Sequence, residues 1–167
     1  MVHVYRKESM EDFLLRLQES SFGVWVSSAP TLFAYPTILM LHTVGLAMVV
    51  GPAWVLDVRL LGYGARLPVE TLRGVFRVMW IGFFINASTG IALFISEADD
   101  KGLKWIFWVK LAAIALALVV TTRLRRQVFN VAPAADVAAP RARSLAKASL
   151  LLWLAAITAG RLMAYIK

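Results

Sequence analysis

The sequence predicts an all-α protein, an integral membrane four-helix bundle with an N-terminal amphipathic interfacial helix. Of its 167 residues, 60% are hydrophobic and 17% are charged, whereas soluble domains are about half apolar and a quarter charged. Four apolar runs each hold roughly 20 residues, the length of a helix that crosses a lipid bilayer. The basic residues flank these runs, where lipid headgroups and membrane topology account for the net charge of +8.

The N-terminal interfacial segment, residues 1–30, is the first element. From Met10 to Trp25 it carries apolar residues at helical spacing among charged ones. This pattern predicts an amphipathic helix that lies at the membrane interface. The apolar positions of this helix are Phe13, Leu14, Leu17 and Phe22.

The four-transmembrane-helix domain, residues 31–167, follows. Its apolar runs predict spans at about 32–56, 75–96, 103–122 and 145–165. Ten of the 18 Lys and Arg residues lie in or beside the loops after the first and third spans, and seven lie on the opposite side. Because basic residues are retained on the inner side of a membrane, we expect those two loops inside and both termini outside.

Polar residues within the spans are the most informative feature of the chain, because ionisable groups in a membrane mark functional sites. At 1.5 Å per residue, His42 lies roughly 16 Å from the outer surface, Lys110 about 10 Å and Arg161 about 6 Å. Asn86 lies at about the depth of His42. Together these residues predict a polar column from mid-membrane to the outer face.

A neutral imidazole at mid-membrane suits axial ligation of haem iron, which makes His42 the candidate metal ligand. Gly45, one turn later, would leave space for the porphyrin. Lys110 and Arg161, nearer the surface, would pair with the haem propionates. Asn86 would orient the imidazole, and a four-helix bundle is a usual place for such a cofactor.

Other interpretations of these residues stay open. His42 would equally serve as a structural residue that hydrogen-bonds Asn86 or a backbone carbonyl, or as part of another metal site or a proton relay. Lys110 either extends outward to the headgroups, pairs with Glu97, or acts as the sixth iron ligand. Asp57 and Arg59 are expected to form a structural clamp with each other or with Arg73 and Arg77, the alternative being a role in proton entry.

Residue types and motifs exclude several other kinds of chemistry. The chain has no cysteine, which excludes disulfides, zinc ribbons, iron–sulfur clusters and thiol catalysis. It has no nucleophile elbow, P-loop or dinucleotide-binding fingerprint. The placement of its charge at helix ends indicates lipid and no nucleic acid as the partner.

Three stretches carry a resemblance to a known group. LHTVGLAMVVGPAWVLDVRLLGYG (residues 41–64), LKWIFWVKLAAIALAL (103–118) and SLLLWLAAITAGRLMAYIK (149–167) resemble the first, third and last helices of a bacterial four-helix inner-membrane protein family of unknown function. This resemblance implies a multi-pass protein of the bacterial inner membrane. The distribution of basic residues then predicts both termini on the periplasmic side. More loosely, LHxxG on the first helix and VKL on the third resemble the membrane-bound haem b protoporphyrinogen oxidases, which implies functional roles for His42 and Lys110.

The leading hypothesis is a haem b protein that acts in electron transfer or oxidoreduction in the outer half of the bilayer, with a quinone- or porphyrin-like substrate. Because one chain has a single histidine within its spans, two histidine ligands would require a homo-oligomer; otherwise Lys110 or a methionine would be the second ligand. The methionine candidates are Met40, Met48, Met79 and Met163. Two alternatives are a cofactor-free structural or accessory protein and a small proton-coupled permease that uses Asp57, His42 and Glu97.

Overall fold

The protein is all-α, as the sequence predicts. The computed structural model describes residues 2–63, 68, 71–131 and 140–165. Seven α-helices follow one another in these residues: α1 Val2–Gln18, α2 Ser21–Ser28, α3 Tyr35–Leu60, α4 Leu72–Ser96, α5 Ala98–Gly102, α6 Trp105–Arg126 and α7 Pro140–Leu162. A π-helical turn, Gln127–Val131, extends α6.

Four of these helices, α3, α4, α6 and α7, are long and apolar enough to cross a membrane. Their most apolar 18-residue stretches have mean hydropathies between 1.4 and 2.0. Large apolar side chains such as Ile81, Phe84 and Leu151 point outward and are more than half exposed. Lipid solvates such side chains well, so the four-helix membrane architecture predicted from hydropathy is confirmed.

The ends of the helices differ from the predicted spans by up to five residues. α3 begins at Tyr35 with Pro36 in its first turn, where the missing N–H of proline costs no helical hydrogen bond. It then continues through Asp57 and Arg59 to Leu60, past the predicted end at residue 56. α7 begins at Pro140, before its apolar run starts. Hydropathy marks the part of a helix that contacts hydrocarbon, whereas the backbone hydrogen bonds continue into the polar boundary.

The N-terminal segment differs from the prediction of one helix over Met10 to Trp25. The chain breaks between α1 and α2, where the Ser20 hydroxyl accepts a hydrogen bond from the Gly23 N–H at 3.2 Å and caps α2. Leu14 is only 6% exposed and lies against Gly102. The Gln18 side-chain oxygen accepts a hydrogen bond from the Asp99 N–H at 3.1 Å. The end of α1 therefore packs on α5.

The membrane helices are arranged as two pairs. α3 packs along α4 and α6 along α7, and contacts between α3 and α7 join the pairs. We call the end that holds α5 the turn end, and the opposite end, where α3 and α6 terminate, the loop end. The continuous apolar core lies in the loop-end half, around Leu56, Phe76, Leu124 and Trp153. The turn-end half contains two adjoining cavities.

Candidate functional site

Two adjoining cavities occupy the turn-end half, with volumes of about 180 and 290 Å³. His42, Lys110 and Gly160 line both, so we treat the two cavities as one groove. The other residues that line the smaller cavity are mainly aromatic or apolar. Most of the other residues that line the larger cavity lie nearer the middle of the bundle. These further lining residues include Phe94, Phe107 and Met163 for the first and Asn86, Ile114 and Arg161 for the second. Four of the five predicted site residues therefore line a single groove.

The imidazole of His42 is held on one side by α4. Its Nδ1 lies 3.0 Å from the backbone oxygen of Asn86 and 3.1 Å from Oγ1 of Thr89. A carbonyl oxygen can only accept, so the tautomer with its proton on Nδ1 makes this hydrogen bond, although Nδ2 of Asn86, a donor, also lies 3.3 Å from Nδ1. Nε2 then keeps its lone pair, and it has no hydrogen-bond partner among the residues that the structure describes. A histidine that donates from one ring nitrogen to a carbonyl while the other stays free has the arrangement of a metal ligand.

Two hydrogen bonds of opposite direction join His42 on α3 to Asn86 on α4. The side-chain amide of Asn86 donates to the backbone oxygen of His42 at 2.8 Å, while its own backbone oxygen accepts from the ring. Thr89, which the sequence reasoning missed, donates its hydroxyl proton to the Ile85 carbonyl at 2.6 Å and so presents a lone pair to the ring. The helical spacing of Asn86 and Thr89 was the signal that could have identified this residue.

Space for the imidazole comes from Gly90 and not from Gly45. A Cβ on Gly90 would lie 3.1 Å from Cε1 of His42. Gly45 lies instead where α3 crosses α4, and a Cβ there would be 2.7 Å from the Asn86 backbone nitrogen and 3.0 Å from the Gly82 carbonyl oxygen. Gly45 is buried in this crossing, and it does not line the groove as its predicted role beside the porphyrin requires.

Lys110 supplies a positive charge within the groove. Its side chain passes Gly160, where a Cβ would lie 3.5 Å from Cε and 3.7 Å from Nζ. The interpretation that Lys110 pairs with Glu97 is wrong, because Glu97 forms its ion pair with Lys101. In the described part of the chain no carboxylate pairs with Lys110. A lysine side chain with no carboxylate partner among the described residues suits an anionic ligand.

The remaining candidates are distributed around the bundle. Arg161 lines the groove and holds its guanidinium carbon 5.8 Å from the centre of the Tyr165 ring. Among the four methionine candidates, Met163 lines the groove. Met79 is completely buried in the core, Met48 contacts the helix crossing at Gly82, and Met40 is 57% exposed on the outer surface.

An aromatic pair closes one side of the groove. Phe94 on α4 and Phe107 on α6 are stacked, with ring centres 4.9 Å apart and planes inclined by 15°. Both residues line the smaller cavity. Sequence reasoning did not select them, because apolar aromatic residues are abundant in the spans. The short α5 turn brings the end of α4 beside the start of α6, and the two rings meet there.

Asp57 does not form the predicted clamp. Its carboxyl group is completely buried, and neither oxygen has a hydrogen-bond partner among the described residues. Ser149 faces it from α7, and the Ser149 hydroxyl lies 3.3 Å from that of Thr121. Along α3, Asp57 is 15 residues from His42, which corresponds to about 22 Å. The structure therefore does not bring these two groups together as neighbours.

The groove presents one potential nitrogen ligand, from His42, and two basic side chains, Lys110 and Arg161. Within the described residues no three His, Cys, Asp or Glu side chains come together as a metal-binding group. Haem iron needs only axial ligands from the protein, so one histidine with a free Nε2 fits this demand. The nearby cationic groups, Lys110 and Arg161, fit the two carboxylates of the same cofactor.

Comparison of the chain with protein-family models, curated proteins and solved structures found no match.

Proposed function

We propose that this protein binds haem b in the groove and acts in electron transfer or oxidoreduction within the membrane. The observation that carries the proposal is the state of His42. Its Nδ1 lies 3.0 Å from the Asn86 carbonyl oxygen, and its Nε2 has no hydrogen-bond partner among the described residues. The groove beside it is lined by Lys110, with which no described carboxylate forms an ion pair. When bound, the haem would supply one-electron redox chemistry.

Each residue has a distinct task in this proposal. His42 would be the axial ligand, and Asn86 and Thr89 would hold its ring and maintain the proton on Nδ1. Lys110 and Arg161 would bind the propionates and so fix the orientation of the cofactor. The stacked pair of Phe94 and Phe107 would exclude water from the apolar side of the groove.

The identity of the second axial ligand of the haem iron determines whether the site needs one chain or two. Met163 and Lys110 line the same groove and would act as ligands within one chain. Alternatively, His42 of a second chain would complete a bis-histidine site, which requires a homo-oligomer. A quinone- or porphyrin-like molecule would be the substrate, because such flat apolar molecules partition into the bilayer beside the groove.

We place the protein in a bacterial inner membrane as a multi-pass protein. Four membrane crossings put the two ends of the bundle's chain on the same side. The loops at the loop end carry the larger share of basic residues, so we propose that this end is cytoplasmic and that both termini are periplasmic. The groove then lies in the outer half of the bilayer.

Absorption spectra of the purified protein, oxidised and dithionite-reduced, test the proposal. We expect a Soret band with sharp reduced α and β bands in the wild type. His42→Gln keeps an amide donor for the Asn86 carbonyl but loses the imidazole, so it should fold and lose these bands. His3→Gln, which changes the other of the two histidines, is the matched control and should keep them.

A cofactor-free structural or accessory protein is the second candidate, and the reciprocal hydrogen bonds between His42 and Asn86 favour it. In that case His42 serves to join α3 to α4. A colourless wild type, expressed with adequate haem, would support this candidate and contradict haem binding.

A further inference from the structure

A second polar cavity lies at the loop end, on the far side of the bundle from the groove. It has a volume of about 120 Å³ and is lined by Arg73, Arg125, Arg126 and Phe129. Arg73 belongs to the first turn of α4 and the other two arginines to the last turn of α6. We call this cavity the arginine pocket. The proposal of haem binding assigns it no role.

Aromatic side chains hold two of the three guanidinium groups in place. Nη2 of Arg73 donates a hydrogen bond to the Phe129 carbonyl at 3.2 Å, and its Cζ lies 5.0 Å from the centre of the Phe129 ring. Cζ of Arg125 lies 5.5 Å from the centre of the Phe76 ring. The two rings pack edge to face at 5.8 Å. These contacts restrict the arginine side chains before any ligand arrives, which lowers the entropic cost of binding.

The described part of the chain supplies no carboxylate to balance the charge of the pocket. Among the residues that the structure describes, no carboxylate forms an ion pair with Arg73, Arg125 or Arg126. Arg73 uses one of its donors on a carbonyl, and the planar guanidinium has several more. The three arginines line one small cavity, and an anion with several acceptor oxygens bound there would reduce the repulsion between their charges.

The position of the pocket indicates which class of anion it would bind. The π-helical turn Gln127–Val131 carries Phe129 to the pocket, at the end of the candidate membrane span Trp105–Phe129. This is the level at which headgroup phosphates meet the ends of membrane helices. The cavity volume suits a phosphate group with a few waters rather than a whole nucleotide.

We propose that the arginine pocket binds a phosphate group. The group comes either from the headgroup of an anionic phospholipid or from a soluble phosphate at that face of the membrane, since both present the same oxygens. Bound at this position, it joins the start of α4 to the end of α6, two helices that make few other contacts. The phosphate group therefore stabilises the junction between the two helix pairs.

Thermal unfolding of the full-length protein tests this proposal. In neutral detergent, inorganic phosphate is titrated against chloride at equal ionic strength; in parallel, phosphatidylglycerol is titrated against phosphatidylcholine. A rise in the unfolding midpoint with inorganic phosphate supports a soluble ligand, and a rise with phosphatidylglycerol alone supports a lipid headgroup. No rise with either probe would overturn the proposal.

Matched substitutions separate the pocket from the general charge of the surface. Arg73→Gln and Arg125→Gln should raise the half-saturating concentration about tenfold or more, because each removes charge-assisted hydrogen bonds to the anion. Arg77→Gln and Arg123→Gln remove the same charge from the same two helices outside the pocket and should respond as the wild type does. Equal responses from all four variants would refute a built site.

Discussion

Two glycines beside His42 act in different ways. Gly90 leaves room for the imidazole ring, whereas Gly45 allows the backbones of α3 and α4 to meet at Gly82. Both glycines are small residues within membrane helices, so the amino-acid sequence alone does not distinguish their two roles. The rotation of each helix decides which glycine faces the ring and which faces a neighbouring backbone.

Gly45→Ala should destabilise the protein. The new Cβ would meet the Asn86 backbone nitrogen and the Gly82 carbonyl, which belong to a rigid helix and cannot move aside. We expect a loss of about 1–3 kcal/mol in the free energy of unfolding, measured by SDS titration in mixed micelles. Gly51→Ala on the same helix is the control, because nothing lies within 4 Å of its Cβ position. Equal stability of the two variants would show that the crossing is not tightly packed.

At the scale of helices, the sequence identified the four long elements but not their full lengths. The prediction for α3 ended at residue 56, whereas the helix continues through Asp57 and Arg59 to Leu60. Charged residues lower hydropathy, but they do not interrupt backbone hydrogen bonding. The break at Ser20 was also missed, although serine is a strong capping residue, because the apolar spacing continues across it.

Leu14 is expected to anchor the N-terminal helices to the bundle. It is nearly buried against Gly102, whereas the neighbouring Leu15 is 40% exposed. Leu14→Ala should therefore lower the free energy of unfolding by about 2–3 kcal/mol, and Leu15→Ala should change it by less than about 0.5 kcal/mol. Chemical unfolding of the two variants in detergent measures the difference. If Leu15→Ala cost as much as Leu14→Ala, α1 would not be docked through this face.

Side chains fill the two halves of the bundle to different extents, so the apolar core and the groove lie in different halves. The loop-end half is packed around Phe76 and Trp153, while the turn-end half contains the groove. Sequence reasoning placed His42, Asn86, Lys110 and Arg161 at compatible depths, and the structure brings them to one groove.

The sequence did not predict the features that depend on how the two helix pairs meet. The burial of Asp57 and the convergence of Arg73 with Arg125 both belong to this class. Each involves helices far apart in the chain, and their relative rotation is set by packing rather than by hydropathy. Depth along a helix is readable from residue counting, whereas direction around its axis is not.

Haem content per chain tests the central claim most directly, by the pyridine haemochrome reaction on protein purified from haem-sufficient cells. We predict b-type haem at about one per chain, or about one per two chains if His42 from two protomers shares one iron. His42→Gln should reduce the content to near zero, and His3→Gln should leave it unchanged. A wild type without haem, or a His42→Gln variant with wild-type content, would contradict the proposed site.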